Sequence, residues 1–356
     1  GIGTKSDAPD AVECFRRAAV LSHADAMVSL GKCYVFGYGV VADINSACAW
    51  YRGAVEKGFV QAAYHLSLAL AHVEENAEEA QKEGIQWLQT AAKDGDLESQ
   101  LALAGKYVVG EGVPIDAEVA LKWLKAAADQ GDADAQFRVG GSYLAGRGVE
   151  ASLPEAAHWF TLASQQDNPD GQFALGNCFF RGEGVQCDQK RAISLYREAG
   201  CAGHSEALFT LGKCYESGMA VPADRLEAVM WLKLAADDGH AEAQLNIADR
   251  FSAGDGLVMD QEQAVRYYRL AADSGNATAQ AKLAQCYFKK VGGVQNHAKA
   301  TSLFREATRQ GYTGAFVNHG ECCYAGEGAA GGFETFKGKA ARGSAEAQCN
   351  MGNCYM

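Results

Sequence analysis

Residues 132–167 read DADAQFRVGGSYLAGRGVEASLPEAAHWFTLASQQD, and this stretch contains the boundary signals of two consecutive helices. Asp132 offers a side-chain oxygen as the N-cap of a first helix, whose apolar residues recur on one helical face. Ser152 caps a second helix, and Glu155 three residues later completes a capping box. The glycine-containing loop 146–149 separates the two helices. The stretch therefore predicts a helical hairpin.

The same pattern recurs along the chain with a period of about 36 residues. All five tryptophans occupy one position of the second helix, namely Trp50, Trp87, Trp123, Trp159 and Trp231. The first four follow one another at one period, and the last follows at two periods. The gaps in this series are filled by Leu195, Tyr267 and Leu303. A chain that repeats its largest side chain at a fixed spacing also repeats its architecture, so we expect stacked hairpins.

Helix boundary signals keep the same register. Second-helix N-caps are expected at Asp43, Asp116, Ser152, Asp188, Asp224, Asp260 and Asn296. First-helix N-caps are expected at Asp132, Asn168, His204, His240 and Asn276. Glycines that can close the second helix in a left-handed conformation are Gly58, Gly95, Gly131, Gly203, Gly239, Gly275 and Gly311.

A small residue recurs inside the first helix. Glycine occupies this position in six copies, namely Gly31, Gly140, Gly176, Gly212, Gly320 and Gly352. A small side chain lets the partner helix approach closely, and we expect the tryptophan or its substitute to fill the adjoining space. One hairpin cannot bury its apolar face alone, so neighbouring hairpins must stack.

These features resemble the Sel-1-like repeat (SLR) family, a branch of the tetratricopeptide-type (TPR-like) helical repeat proteins. The family pattern is legible in Ala207 to Tyr215, Gly182-Glu-Gly184-Val185, Asp116, Ala120 to Trp123, Ala127-Ala128 and Gly131. The resemblance covers essentially the whole chain. It implies an all-α fold, namely an α-α superhelix that forms a right-handed solenoid of about nine helix-turn-helix repeats.

We therefore expect a single repeat solenoid over residues 1–356. Its hairpins are expected at about 25–58, 59–96, 97–132, 133–168, 169–204, 205–240, 241–276, 277–312 and 313–344, with half-repeats at 8–24 and 345–356. Three hairpins depart from the pattern. The second lacks the Gly-x-Gly loop, the eighth reads Lys289-Lys290-Val291-Gly292-Gly293, and the shortened ninth is expected to be distorted. The chain stops inside a helix-like pattern, so we expect a piece of a longer protein.

Charge and hydropathy exclude two classes of partner. The net charge is −12 and Lys and Arg do not cluster, which is not typical of a nucleic-acid-binding surface. The sequence contains no run of 18 apolar residues, so no membrane span is expected in this segment.

No cofactor site is expected. Residues 326–331 match the dinucleotide-binding expression GxGxxG. Equivalent loops recur between two helices elsewhere in the chain, whereas a dinucleotide site needs a strand before the glycines. Spacings typical of zinc sites, nucleophile elbows and phosphate loops are absent from the sequence, and no catalytic or metal-binding residue is expected.

Twelve cysteines need a separate interpretation. Cys33, Cys178, Cys214, Cys286, Cys322 and Cys354 share one repeat position. Equivalent positions in stacked hairpins are roughly 8–10 Å apart, farther than the about 7 Å between Cα atoms that a disulfide allows. We expect buried thiols and favour a reducing compartment (cytoplasm or an organelle interior) over a secreted protein. A single glycosylation sequon at Asn276 is instead typical of a secreted protein.

The last cysteines leave an alternative open. Cys322, Cys323, Cys349 and Cys354 form a loose cluster near the end of the sequence. They either pack as small apolar residues or serve a metal or redox function.

By resemblance to tetratricopeptide proteins, the first helices line a concave side that binds other proteins. The expected binding residues are Phe180, Arg181, Lys213, Glu216, Asp249, Phe288, Lys289 and Tyr324. Aromatic anchors interspersed with charges are typical of protein-recognition surfaces. A stripe of Phe137, Phe173 and Phe209 either packs between hairpins or belongs to the same surface.

The sequence thus predicts a non-catalytic scaffold or adaptor that binds other proteins within a multi-subunit assembly. One alternative is an enzyme or a redox or metal-binding assembly factor that uses the C-terminal cysteines. Another is the repeat region of a multidomain protein whose activity lies elsewhere.

Overall fold

The computed structural model describes residues 7–73, 76–293 and 295–312. Across these ranges the regular elements are seventeen α-helices and one 3-10 turn, with no strand, and the all-α prediction is confirmed. The chain divides into two compact units, residues 1–187 and 188–356. The predicted ninth hairpin, with its expected distortion, and the final half-repeat lie outside the described residues.

Unit 1 contains ten described helices. They are α1 (Ala8–Val20), α2 (Ala24–Phe36), α3 (Ile44–Glu56), α4 (Ala62–Leu70), α5 (Ala77–Lys93), α6 (Leu97–Val109), α7 (Ala117–Asp129), α8 (Ala133–Ala145), α9 (Leu153–Ser164) and α10 (Pro169–Arg181). The even-numbered helices are the first helices of their hairpins, and α3, α5, α7 and α9 are the second helices.

Unit 2 continues the alternation with seven described helices. They are α11 (Gln189–Cys201), α12 (Ser205–Ser217), α13 (Arg225–Asp237), α14 (Ala241–Ala253), α15 (Gln261–Asp273), α16 (Ala277–Lys289) and α17 (His297–Arg309). The 3-10 turn spans Val291–Gly293. In each unit a helix packs mainly against the helices that precede and follow it in sequence, as in a stack of hairpins.

The predicted N-caps are confirmed at both kinds of helix. In α8, Asp132 Oδ1 accepts a hydrogen bond from the Ala135 amide at 2.7 Å. The less usual cap His240 accepts from the Ala243 amide through Nδ1 at 3.1 Å. The glycines expected to follow the second helices all have positive φ. These helices therefore begin and end where their own sequence signals place them.

The second glycine of each Gly-x-Gly loop allows a close approach between neighbouring repeats. A Cβ atom on Gly148 would lie 2.2 Å from the carbonyl oxygen of Ala117, at the start of the preceding second helix. A Cβ atom on Gly184 would lie 2.1 Å from the carbonyl oxygen of Leu153. Packing between repeats thus explains these glycines without a phosphate ligand.

Two departures from the repeat pattern change the helices themselves. In the second hairpin α4 is shortened to Ala62–Leu70, whereas α5 is lengthened to Ala77–Lys93. In the eighth hairpin Lys290 replaces the usual glycine at the end of α16 and adopts the left-handed conformation with φ of 60°.

The residue that fills the space beside the small residue differs from our expectation. A Cβ atom on Gly140 would lie 2.6 Å from the ring of Phe160, and one on Gly212 would lie 2.6 Å from Leu232. Phe160 and Leu232 each follow the tryptophan position by one residue, so the expectation for tryptophan itself was wrong. The residue after the tryptophan is the one that seals the hairpin.

The tryptophans instead connect neighbouring hairpins. Trp123 packs against two buried clusters, one of which includes Leu121 and Leu124 of its own hairpin, whereas the other includes Ile85 and Leu88 of the preceding hairpin. Trp50, Trp87, Trp123 and Trp159 are partly exposed, and Trp231 is 9% exposed. Their size therefore serves contacts between repeats more than the centre of each hairpin.

A buried glutamine ties consecutive helices together, a feature that the sequence analysis missed. In α8, Gln136 donates through Nε2 to the Ala128 carbonyl at 3.1 Å. Its Oε1 accepts from Gln166 Nε2, at the end of the following second helix, at 2.8 Å. The same pair of bonds recurs at Gln100 with Gln130 and at Gln280 with Gln310.

A second recurring hydrogen bond joins several of the second helices to the next first helix. In each case a polar side chain of the second helix donates to a tyrosine hydroxyl group of the first helix that follows it. The pairs are Gln89 with Tyr107 at 3.3 Å, Lys125 with Tyr143 at 2.7 Å, Arg197 with Tyr215 at 2.8 Å and Arg269 with Tyr287 at 3.2 Å.

Replacement of Phe160 should destabilise the fold more than replacement of the larger Trp159. Phe160 is 2% exposed. Phe160→Ala should therefore cost about 3–5 kcal/mol, as large core truncations do. Trp159→Ala should cost less because its side chain is only partly buried. Urea unfolding followed by circular dichroism gives both values, with Leu144→Ala on the surface of α8 as the control. A larger loss for Trp159→Ala would contradict this packing.

In the described part of the chain, the glutamine bond is missing at Gln172 and Gln244, and at Gln244 it can be restored. The buried Oε1 of Gln244 has no hydrogen-bond partner among the described residues. The repeat position that should supply the donor, equivalent to Gln130 and Gln166, is occupied by Ser274. Ser274→Gln should raise the unfolding free energy by about 1 kcal/mol, because a buried acceptor gains a donor.

Asp238→Gln is the matched control for this gain. Asp238 occupies the same repeat position as Ser274, but the preceding first helix carries Leu208 in place of the acceptor glutamine. Thermal unfolding of both variants provides the measurement. An equal gain in both would assign the effect to helix propensity and contradict the glutamine bond.

Candidate protein-interaction surface

The predicted binding residues fall in both units. Phe180 and Arg181 lie at the C-terminal end of α10 in unit 1. Unit 2 holds Lys213 and Glu216 in α12, Asp249 in α14, and Phe288 and Lys289 in α16. Tyr324 lies outside the described residues, as do Cys322, Cys323, Cys349 and Cys354.

In unit 1 the predicted residues make weak polar contacts. The Arg181 side chain is 66% exposed and lies 3.8 Å from the Glu183 carboxylate. Exposed pairs of this kind contribute at most about 1 kcal/mol. Phe180 is half-buried, and its carbonyl oxygen lies 3.6 Å from the Cys187 thiol. Arg181 is therefore accessible to a partner.

In unit 2 the Glu216 carboxylate joins cations from two repeats. Lys213 in the same helix donates to Glu216 through Nζ. Arg250 in α14 donates to Glu216 through Nη2. Arg250 also donates through Nε to Asn246 Oδ1 at 2.7 Å, and its Nη1 lies 3.5 Å from Asp255. The guanidinium group thus holds the first helices of two adjacent repeats together.

Arg250 is a residue that the sequence analysis missed. It is 6% exposed, and it occupies the repeat position that holds a cysteine in six other copies. A buried arginine is stable only where carboxylates and hydrogen-bond acceptors surround it. The change from cysteine to arginine at a buried repeat position was the signal available in the sequence.

A second polar contact lies one repeat further on. Lys282 Nζ in α16 is 2.6 Å from both carboxylate oxygens of Asp249 in α14. The Tyr268 hydroxyl group of α15 donates to Asp249 Oδ1 at 2.6 Å. Burial, and then the adjacent carboxylate, raises the pKa of Tyr268 well above its ordinary value. Tyr268 therefore remains a neutral hydrogen-bond donor. We call Lys213, Glu216, Asp249, Arg250 and Lys282 the first-helix network.

The first-helix network borders two grooves in unit 2. One has a volume of about 520 Å³ and is lined by Tyr268, Lys282, Gln285, Lys289 and the altered loop at Gly292. The other, of about 380 Å³, is lined by Glu216, Arg225, Arg250 and Asp255. Each groove is lined by charged side chains, among which Lys282 and Arg250 are paired with carboxylates of neighbouring residues.

Two members of the phenylalanine stripe contact other rings inside the fold. The Phe137 and Phe160 ring centres are 5.9 Å apart. Phe209 stacks on the cap residue His240, with 4.4 Å between ring centres and 18° between planes. For Phe137 and Phe209 the packing interpretation is therefore supported.

The eight described cysteines are free thiols. Cys33, Cys48, Cys178, Cys214 and Cys286 are buried, and burial raises the pKa of Cys178 to about 11. A thiol that stays protonated at neutral pH is a poor nucleophile. No group of three potential metal ligands occurs among the described residues.

The sequon residue Asn276 is engaged as a helix cap. Its Oδ1 accepts a hydrogen bond from the Ala279 amide at 2.9 Å. Separately, none of the described helices combines the length and the apolar character that a membrane span requires.

Comparison with known proteins identifies the repeat. A family model described as Sel1 repeat matches residues 1–23, 24–59, 60–96, 97–132, 133–168, 169–204, 205–240, 241–276, 277–312 and 345–356. Sel1-repeat folds are commonly protein-interaction scaffolds and typically non-catalytic.

Two solved structures share the fold. The first is a protective antigen present in uropathogenic Escherichia coli strains that displays an SLR fold. It is 28% identical, with a TM-score of 0.71 over 96% of this chain and 74% of that chain. The second is a Sel1 repeat protein from Oxalobacter formigenes. It is 29% identical, with a TM-score of 0.70 over 85% of this chain and 87% of that chain.

A curated relative is an uncharacterized protein of Neisseria meningitidis serogroup B. It is 29% identical over 119 residues, which are 33% of this chain and 24% of the relative. The match thus spans about a quarter of the length of that relative. Because the family model matches most of the sequence and the helical hairpins follow the same register, the chain belongs to the Sel1 repeat family.

Proposed function

We propose that this chain is a non-catalytic adaptor that binds another protein of a larger assembly through the first helices of unit 2. The observation that supports this proposal most directly is the first-helix network. It joins side chains of α12, α14 and α16, which are the first helices of three successive repeats. The network presents charges of both signs on one surface.

A network of this kind reduces the entropic cost of binding. Each side chain held in place before the partner arrives saves part of the free energy that would otherwise be spent on ordering it. Arg250 is central because it is buried and contacts carboxylates from two repeats. We infer that it keeps Glu216 in one orientation toward the surface.

The adjoining groove supplies a place for partner side chains. Its volume of about 520 Å³ is within the range of binding pockets in proteins. Lys282 and Lys289 border it, and Lys289 is exposed at the end of α16. A partner segment with carboxylate groups would complement these cations.

Arg250 should be important for stability because of the carboxylates around it. Arg250→Met should lower the unfolding free energy by about 2–4 kcal/mol, since Glu216 and Asp255 lose the buried cation that they share. The double variant Arg250→Met, Glu216→Gln should recover a large part of the loss. Urea unfolding of both variants makes the comparison. Equal instability of the single and double variants would contradict the ion-pair explanation.

The proposed binding surface can be tested by affinity purification of the native chain. Lys289→Glu should reduce the amount of a co-purifying partner about fivefold, equivalent to about 1 kcal/mol. The helical melting curve should not change, because Lys289 is exposed.

Lys122→Glu is the control for this test, because it makes the same charge change on an exposed residue of α7, a second helix. Quantitative mass spectrometry of the purified complexes compares the two variants. Equal retention of the partner by both variants would contradict the assignment of binding to the first helices of unit 2.

A further inference from the structure

The first helix α14 begins at a cap residue that can take up a proton. His240 accepts a hydrogen bond from the Ala243 amide through Nδ1 at 3.1 Å. Its other ring nitrogen, Nε2, lies 2.9 Å from Glu206 Oε2 in α12. Because Nδ1 is an acceptor, the ring is neutral and its proton is on Nε2, which donates to the carboxylate. One imidazole ring therefore caps its own helix and also contacts the first helix of the preceding repeat.

An asparagine makes the same two contacts in α10. Asn168 Oδ1 accepts from the Gly171 amide at 2.8 Å, and Asn168 Nδ2 donates to Asp134 Oδ1 in α8 at 2.7 Å. Asn168 and His240 occupy the same repeat position, and in both repeats the carboxylate lies 34 residues earlier. This position thus uses one acceptor and one donor. An amide provides both at every physiological pH, whereas an imidazole provides both only while it is neutral.

Protonation would remove one contact of His240 and strengthen the other. An imidazolium ring has no free lone pair, so Nδ1 could no longer accept from the Ala243 amide. The charge would also be unfavourable at the N-terminus of α14, where the helix dipole is positive. Toward α12 the effect has the opposite sign. The imidazolium ring would form an ion pair with Glu206 and would be attracted to the Phe209 ring, whose centre lies 4.4 Å from its own.

The other charged groups next to His240 in sequence are carboxylates. Asp237 and Asp238 end α13, Glu242 lies in the first turn of α14, and all three are exposed. Asp237 also accepts from the Tyr267 hydroxyl group of α15 at 2.5 Å. These carboxylates favour the imidazolium form, although water and salt screen exposed charges. The cap of α14 therefore opposes the surrounding carboxylates, and the proton on His240 decides which contact is kept.

We propose that His240 is a pH switch that closes the N-terminus of α14 at neutral pH and opens it in acid. When the ring takes up a proton, Glu206 and Phe209 hold it on α12, and the Ala243 amide loses its acceptor. Ala243 is fully buried, so water does not replace the cap and the first turn of α14 loosens. The switch is independent of the first-helix network, because Arg250 lies in the last turn of the same helix.

Hydrogen exchange of the Ala243 amide reports this switch directly. NMR of the isotope-labelled native chain gives its protection, corrected for the intrinsic exchange rate at each pH. This protection should fall about fivefold between about pH 7.5 and about pH 5.5, as expected for the loss of one helix cap. The Gly171 amide, which Asn168 caps, should keep its protection and is the internal control. Unchanged protection of Ala243, or an equal fall at Gly171, would overturn the proposal.

The variant His240→Asn removes the titrating ring and gives α14 the cap of α10. It should fold like the native chain, because an asparagine makes both contacts in α10. Circular dichroism at neutral pH checks the fold. The protection of the Ala243 amide should then be the same at both pH values. A fall of the native size in this variant would place the acid effect elsewhere in the chain and overturn the proposal.

Two further measurements do not need that variant. NMR of the ring nitrogens in the native chain should show His240 with its proton on Nε2 at neutral pH, and a proton on Nδ1 would overturn the proposal. Glu206→Gln keeps an acceptor for Nε2 but removes the negative charge that favours the imidazolium form. The midpoint of the Ala243 transition should therefore move to lower pH. A midpoint that stays or rises would show that Glu206 does not hold the protonated ring, and it would equally overturn the proposal.

Discussion

The contact between a glycine in the first helix and a large side chain in the second is the constraint on which each hairpin depends. At Gly140 the ring of Phe160 occupies the space that any Cβ atom would need, and Leu232 does the same at Gly212. Because this contact brings the helix axes close together, the alanines around it become fully buried, as Ala156 is. The apolar side chains on the remaining faces are then left to contact the neighbouring hairpins.

This constraint separates the positions that maintain the fold from those that are free to vary. The inner face of every second helix must remain small or apolar, whereas its outer face is available for function. Helix α13 shows the difference, because its inner face matches the other repeats, whereas exposed apolar residues such as Leu226 occupy its outer face. The first helices also vary at one buried position, where Arg250 stands in place of the cysteine found in other repeats. Its guanidinium group is paired with the carboxylates of Glu216 and Asp255. The first-helix network of unit 2 therefore arises from a local departure within a uniform architecture.

Much of the fold could be predicted from the sequence because its signals are local. Caps such as Asp132 and the glycines with positive φ act within a few residues of their own position, and the repeat presents them many times. The identity of the residue beside Gly140 could not be predicted in this way. Trp159 and Phe160 are adjacent, both large and both apolar, and only the packing of the helices decides which one faces inward. The exceptional arginine at position 250 was visible in the sequence, but its partners were not, since Arg250 reaches Glu216 in the preceding repeat and periodicity does not reveal side-chain direction.

The recurring hydrogen bonds of the fold connect residues that are 8, 18 or 30 positions apart, and these separations reach no further than the adjacent hairpin. Every such bond is therefore specified by two neighbouring modules and by nothing more distant. A duplication or deletion of one complete module would recreate the same bonds at the new junction. A gene that encodes such modules can therefore change the length of its protein by whole modules during evolution. An insertion or deletion of a few residues inside a module would instead break the register of the hydrogen bonds on both sides.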